Sequence, residues 1–154
     1  MFEGKDIGHI LHVADMTAKN RLTNQLDGYG ITPGQYAVLK EIYYHSEDGN
    51  NGLSPACIAD RIHCDRPTIS GIIERLEAQG WIVRLRNSED KRSVIIQVTD
   101  KTIAHMPEFD EIFQDNRSII LNGFTKEEED AFKNFLLRVI HNFKNIEDGM
   151  VTEK

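Results

Sequence analysis

The sequence predicts a mainly α-helical protein with one small β-hairpin: a helix-turn-helix with a wing, set in a helical frame. Three observations predict it. Apolar residues recur at helical spacing along most of the 154-residue chain. Two short helical segments meet at a two-residue turn, His63-Cys64. Immediately after them the pattern switches to β-branched apolar runs flanking a charged centre, between Trp81 and Val98.

The first helix is predicted from about Lys5 to Asp27, with Ile7, Ile10, Leu11, Ala14, Ala18, Leu22 and Leu26 on its apolar stripe and Gly28 and Gly30 ending it. The second starts at Thr32-Pro33-Gly34-Gln35, where threonine caps, proline suits the first helical position and Gln35 completes a capping box. Its buried face is Tyr36, Leu39, Ile42 and Tyr43, and Glu47 to Gly52 has turn chemistry.

Ser54-Pro55 repeats the cap-then-proline start and opens a short helix through Ile62, with Ile58, Ala59 and Ile62 inward. Asp65 caps the next helix, whose inward stripe is Ile69, Ile72, Ile73 and Leu76 and which Gly80 ends. Its outer face carries Arg66, Thr68, Ser70, Gly71, Glu74 and Arg75. Short hydroxyls, an arginine and a glycine that adds no bulk suit a helix lying in the major groove of DNA; the same face also reads as an ordinary solvated surface. The hairpin strands are predicted at Trp81–Leu85 and Ser93–Val98. Arg86, Lys91 and Arg92 at the tip are placed to reach phosphates or the minor groove, with Asp90 as an internal partner that positions the tip.

Charge is distributed in keeping with such a head. The chain carries a formal −7, which repels a phosphate backbone. From Leu53 to Gln97, however, seven cations face six acids; the remaining 11 basic and 19 acidic residues hold the excess. No apolar run approaches the roughly 18 residues that span a membrane, and no charged-then-apolar leader is visible, so a cytoplasmic protein is expected. Cys57 and Cys64 do not form a disulfide framework.

Three segments together resemble the MarR-type transcriptional regulators: Gly30 to Leu39 (GITPGQYAVL), Glu77 to Arg84 (EAQGWIVR), and the wing from Asp90 to Lys101 (DKRSVIIQVTDK). Thr102 departs from the pattern, the family usually having glycine there. The resemblance implies a homodimeric winged helix-turn-helix regulator, expected to be a repressor, acting on double-stranded DNA at a pseudo-palindromic operator and released by a small aromatic or phenolic effector. It puts the helix from Asp65 to Gln79 in the major groove, Arg92 in the minor groove, and phosphate contacts at Ser54, Thr68 and Ser70. The expected DNA-binding set is Ser54, Arg66, Pro67, Thr68, Ser70, Gly71, Arg75, Arg84, Arg86, Lys91 and Arg92; Arg75 and Arg84 have the alternative role of holding the wing to the helix.

The remaining chain is expected to form the dimerisation region, residues 1–31 and 103–154 around a head of 32–102. Thr99 is read as the cap of a long helix bearing Ile103, Met106, Ile112, Phe113, Ile119, Ile120 and Phe124, with Pro107 inside it or marking its start. Thr125 to Glu128 is a second capping box, opening a helix with Phe132, Phe135, Leu136, Val139, Ile140, Phe143 and Ile146. A second copy would bury these wide stripes. Effector candidates are His12, Tyr36, Tyr43 and Arg117, whose cation could pair a carboxylate. Neither a cofactor nor a metal is expected: His9, His12 and His105 lack a completing ligand set. Neither cysteine lies in the first helix, where peroxide-sensing relatives carry theirs. The alternatives are a protein-binding winged helix and a redox- or metal-responsive regulator of the same fold. An enzyme is not expected, because His63 and Cys64 have no orienting third group.

Overall fold

In chain order the computed structural model comprises α1 (Ile7–Leu26), a 3₁₀ turn (Asp27–Tyr29), α2 (Pro33–Glu47), α3 (Pro55–Arg61), α4 (Arg66–Ala78), β1 (Ile82–Arg86), β2 (Val94–Val98), α5 (Asp100–Ile120) and α6 (Lys126–Glu147). It describes residues 4, 6–47, 52–86 and 94–147. Lys91, Arg92 and Asp90 therefore lie outside the described residues, as does the loop before Gly52. The chain divides into two compact units, 1–116 and 117–154.

Local chemistry sets the helix ends. Asp6 caps α1 by accepting from the His9 N–H at 3.0 Å. At α2 the capping box closes in both directions: Gln35 N–H donates to Thr32 Oγ1 at 3.2 Å, and Thr32 N–H to Gln35 Oε1 at 2.7 Å. Ser54 and Asp65 cap α3 and α4 through the N–H groups of Cys57 and Thr68. α4 ends in a Schellman motif, with Gly80 at φ 76°, its N–H on Glu77 O at 3.0 Å and the Trp81 N–H on Leu76 O at 2.9 Å. α3 closes in the same way with His63 in the left-handed position, at φ 53°. His63 N–H donates to Asp60 O and Cys64 N–H to Ala59 O, which makes the two-residue turn.

Within the first unit one core joins these elements. Leu26, Tyr36, Leu39, Ile42, Ile58, Ile69, Ile73, Leu76, Trp81, Ile82, Ile96, Met106 and Phe109 are buried. Tyr43, Ile62 and Ile72, expected inward, pack against it half-buried. β1 and β2 pair antiparallel, Ile82 opposite Val98 and Arg86 opposite Val94. Leu53 adds a bridge that sequence periodicity did not reveal, exchanging backbone hydrogen bonds with Ile96 at 2.8 and 3.1 Å. Gly52 makes it possible: its φ is 105°, and a Cβ there would lie 2.5 Å from Ile96 O. The bridge ties the start of α3 to the middle of β2.

Thr99 does not cap α5 with its side chain. Its hydroxyl donates backwards instead, to Gly80 O at 2.8 Å and Trp81 O at 3.1 Å, while its carbonyl accepts from Ile103 N–H. Thr102, the departure from the family pattern, is fully buried and donates its hydroxyl to the same Trp81 carbonyl. The two threonines hold the start of α5 against the start of β1. Pro107 lies inside α5 and does not mark its beginning. Further along, the Asp110 carboxylate accepts from Tyr36 Oη at 3.1 Å and Tyr44 Oη at 2.9 Å, joining α5 to α2. Arg21 on α1 pairs with Asp115 on α5 at 2.7 Å.

In the second unit the Thr125–Glu128 box is closed, with Glu128 N–H on Thr125 Oγ1 at 3.2 Å and Thr125 N–H on Glu128 Oε2 at 2.8 Å. The helix it opens exposes large apolar side chains, among them Phe135 at 59%, Ile140 at 50% and Phe143 at 66%.

Candidate nucleic-acid interface

The Schellman turn at His63-Cys64 sets α4 against α3, and the Leu53 bridge brings β2 to the same side. A cleft of about 580 Å³ results, lined by Ser54, Pro55, Ala56, Arg66, Pro67, Ser70 and Val94. It gathers four of the expected DNA contacts: the cap of α3, and an arginine, a proline and a serine from the first turn and a half of α4. Ala56 and Val94 were not singled out from the sequence. The Leu53–Ile96 bridge draws β2, and with it Val94, to the start of α3, and an isolated two-residue bridge has no periodic signature.

The hydroxyls differ in what they offer. Ser54 Oγ accepts from Cys57 N–H at 3.2 Å, so its own proton remains available to an outside acceptor. Thr68 Oγ1 donates its proton to Asp65 Oδ2 at 2.7 Å. These bonds hold the Asp65 carboxyl below the usual carboxylate range, the Thr68 hydroxyl having the largest effect and its N–H the next.

Arg66, Pro67, Thr68, Ser70, Glu74 and Arg75 are exposed on α4, with half-buried Gly71 among them. A Cβ added at Gly71 would meet nothing within 4 Å, so the fold does not demand glycine there. Arg84 points back to α4, where it pairs with Glu77 at 2.8 Å and fastens β1 to the end of the helix. Arg86 is exposed at the last position of β1.

The effector candidates are not all in one place. Tyr36 is buried, stacked on Phe113 at 4.1 Å and bonded to Asp110; burial, and then the Asp110 charge, push its phenol pKa up. Lys40 lies over the same rings, 5.9 Å from the Tyr36 centroid and 5.5 Å from that of Phe113, a cation the sequence reading passed over because it sits on a helix rich in ordinary surface residues. Tyr43 is half-buried, and His12 is exposed on α1. Arg117 belongs to the second unit, where it pairs with Glu129. Among the described residues no three His, Cys, Asp or Glu side chains are grouped to hold a metal. Cys57 and Cys64 are free thiols, half-buried against the core. No helix among the described residues is long and apolar enough to cross a membrane.

A helix-turn-helix braced by a two-stranded wing defines the winged-helix class. The family model described as "MarR family" matches residues 31–94, which span α2 to the start of β2. The uncharacterized HTH-type transcriptional regulator YybA of Bacillus subtilis is 32% identical over 93% of this chain and 87% of its own length. The HTH-type transcriptional repressor YetL of the same organism is 27% identical over 71% of this chain, a match that spans 64% of YetL itself. Among solved structures, the S. aureus MepR–DNA complex superposes with a TM-score of 0.82 at 23% identity, covering 89% of this chain and 98% of that one. The chain belongs to the MarR family of transcriptional regulators.

Proposed function

We propose that the chain acts as a homodimeric repressor that binds double-stranded DNA at a pseudo-palindromic operator and is released by a small aromatic or phenolic ligand. The observation that carries the DNA half is the cleft uniting Ser54, Arg66 and Ser70 with Val94 at the start of the second wing strand. Ser54, with its free proton, Arg66 and Ser70 hold phosphate there, while Pro67, Gly71 and Arg75 face the major groove. Arg86, Lys91 and Arg92 carry the wing's phosphate and minor-groove contacts, and Asp90 positions them. Arg84 supports the wing rather than touching DNA, as its pairing with Glu77 indicates. The reading head is residues 32–102.

The dimer half rests on α6. Phe135, Ile140 and Phe143 are each at least half exposed, far more apolar surface than a solvated helix face carries. Residues 1–31 and 103–154 form the frame through which a second copy covers it. Twofold symmetry would then set two α4 helices about one turn of DNA apart. For the effector, half-buried Tyr43 offers aromatic surface while Tyr36 lies fully buried, and exposed His12 is a further candidate.

A nuclease footprint on the DNA upstream of the protein's own gene, with and without aromatic carboxylic acids, tests the reading. Protection in two half-sites that an acid abolishes is the expected result. Protection unaffected by any acid would remove the effector; no protection at low salt would favour a winged helix that binds protein.

A further inference from the structure

We infer that Thr68 reads a base, and that it does so as a hydrogen-bond acceptor: its hydroxyl recognises the exocyclic amino group of an adenine or a cytosine in the major groove and does not hold a phosphate. The inference deepens the proposed DNA-binding role and rests on it.

A hydroxyl has one proton to give and two lone pairs. In Thr68 the proton is committed to Asp65 Oδ2 at 2.7 Å, while the other carboxylate oxygen takes the Thr68 N–H at 2.9 Å. The carboxylate is thus held from two sides, and its depressed pKa keeps it ionised at neutral pH. What Thr68 presents outward is a pair of lone pairs backed by a negative charge. Phosphate oxygens only accept, so they find no proton here and are repelled by Asp65. Among base edges in the major groove, adenine N6 and cytosine N4 carry donors; guanine presents O6 and N7, and thymine O4, all acceptors.

Position agrees with this assignment. At 100° per residue Thr68 falls on the same flank of α4 as Arg75, with Pro67 and Gly71 between it and the Arg66–Ser70 flank. That second flank, together with Pro67, lines the cleft assigned to phosphate, and Thr68 is exposed outside it. Ser54 supplies the contrast: its oxygen accepts from Cys57 N–H, so it has a proton for phosphate. The two hydroxyls have opposite polarity because one caps through its oxygen while the other donates to a cap.

The test measures affinities of the full-length protein for a bound duplex and for all its single base-pair variants, using Thr68→Val, Thr68→Ser and Asp65→Asn alongside the parent. Circular dichroism checks that each variant folds. In the parent, one base pair per half-site should prefer A or C over G or T by at least about tenfold, the range of one good base contact. Thr68→Val should lose the preference at that pair alone, and Thr68→Ser should keep it. Asp65→Asn should reverse it. With Oδ1 on the Thr68 N–H, the amide nitrogen faces the hydroxyl and donates to it, which frees the threonine proton for guanine or thymine. Equal weakening of Thr68→Val on every sequence, with a smaller salt slope, would identify a phosphate contact and overturn the inference. Unchanged preferences in Thr68→Val would overturn it too. A parent that binds none of the duplexes at low salt would instead refute the DNA-binding reading beneath it.

Discussion

Replacing Gly71 with alanine should stabilise the protein and weaken its grip on DNA. Gly71 occupies the interior of α4, where glycine is less favourable than alanine by about 0.8–1.0 kcal/mol. Glycine inside a helix is often excused by crowding or by a left-handed backbone, and neither applies. No positive φ is found at this residue, and an added Cβ meets nothing within 4 Å. The substitution should therefore recover roughly 1 kcal/mol, which in a domain of this size raises the melting temperature by about 2–4 °C. The same methyl would stand on the outer face of α4, between the two flanks that the account assigns to DNA. Holding the helix off the groove by one methyl disturbs several contacts at once, so affinity should fall by at least about tenfold, or 1.4 kcal/mol. Thermal denaturation by circular dichroism and fluorescence anisotropy on an operator duplex in one buffer read both effects. A higher melting temperature with unchanged affinity would refute the close approach of α4 to DNA. A lower melting temperature would refute the open space at Gly71.

Three further outcomes follow from the same structure. Arg92→Ala should weaken DNA binding and reduce the slope of log affinity against log salt by about one, and an unchanged slope in a salt titration would remove Arg92 from the contact set. Phe135→Asp, on the exposed face of α6, should shift the sedimentation coefficient from dimer to monomer; an unaltered dimer would place the interface elsewhere. The Asp115 carboxyl is held below the usual carboxylate range first by Arg21 and then by Gln25. A carboxyl depressed in the folded state stabilises above its unfolded pKa of about 3.9, and that contribution is lost as pH falls through the lower folded value. Arg21→Ala should bring the Asp115 titration, followed by NMR, back up towards that ordinary value; no movement would mean that the ion pair does not form in solution.

The parts of the fold that were legible in the sequence are those set by local chemistry. Thr32 with Gln35, Ser54 with Pro55, and Thr125 with Glu128 mark helix starts within three residues of chain, and Gly80 marks a helix end at a single position. Each formed where the pattern put it, because capping satisfies orphan N–H and carbonyl groups whatever the tertiary surroundings. Contacts between distant segments were less accessible. Thr99 has the composition and position of a cap, but the turn at Gly80 brings two carbonyls within reach of its hydroxyl, and it donates to them. Leu53 meets Ile96 across more than forty residues of chain, and without that bridge the cleft beneath the wing has no visible cause. Arg84 reads as one more cation until Glu77 is seen beside it. Thr68 was legible as a polar residue on the outer face; the direction of its hydrogen bond was not, since that depends on the side-chain geometry of its own helix cap.

That two copies of this chain read duplex DNA together is tested most directly by sedimentation of a labelled operator duplex with the protein at low salt. One complex holding two chains per duplex, which dissociates steeply as salt is raised, is the expected result. A complex with a single chain, or no complex at low salt, would contradict it.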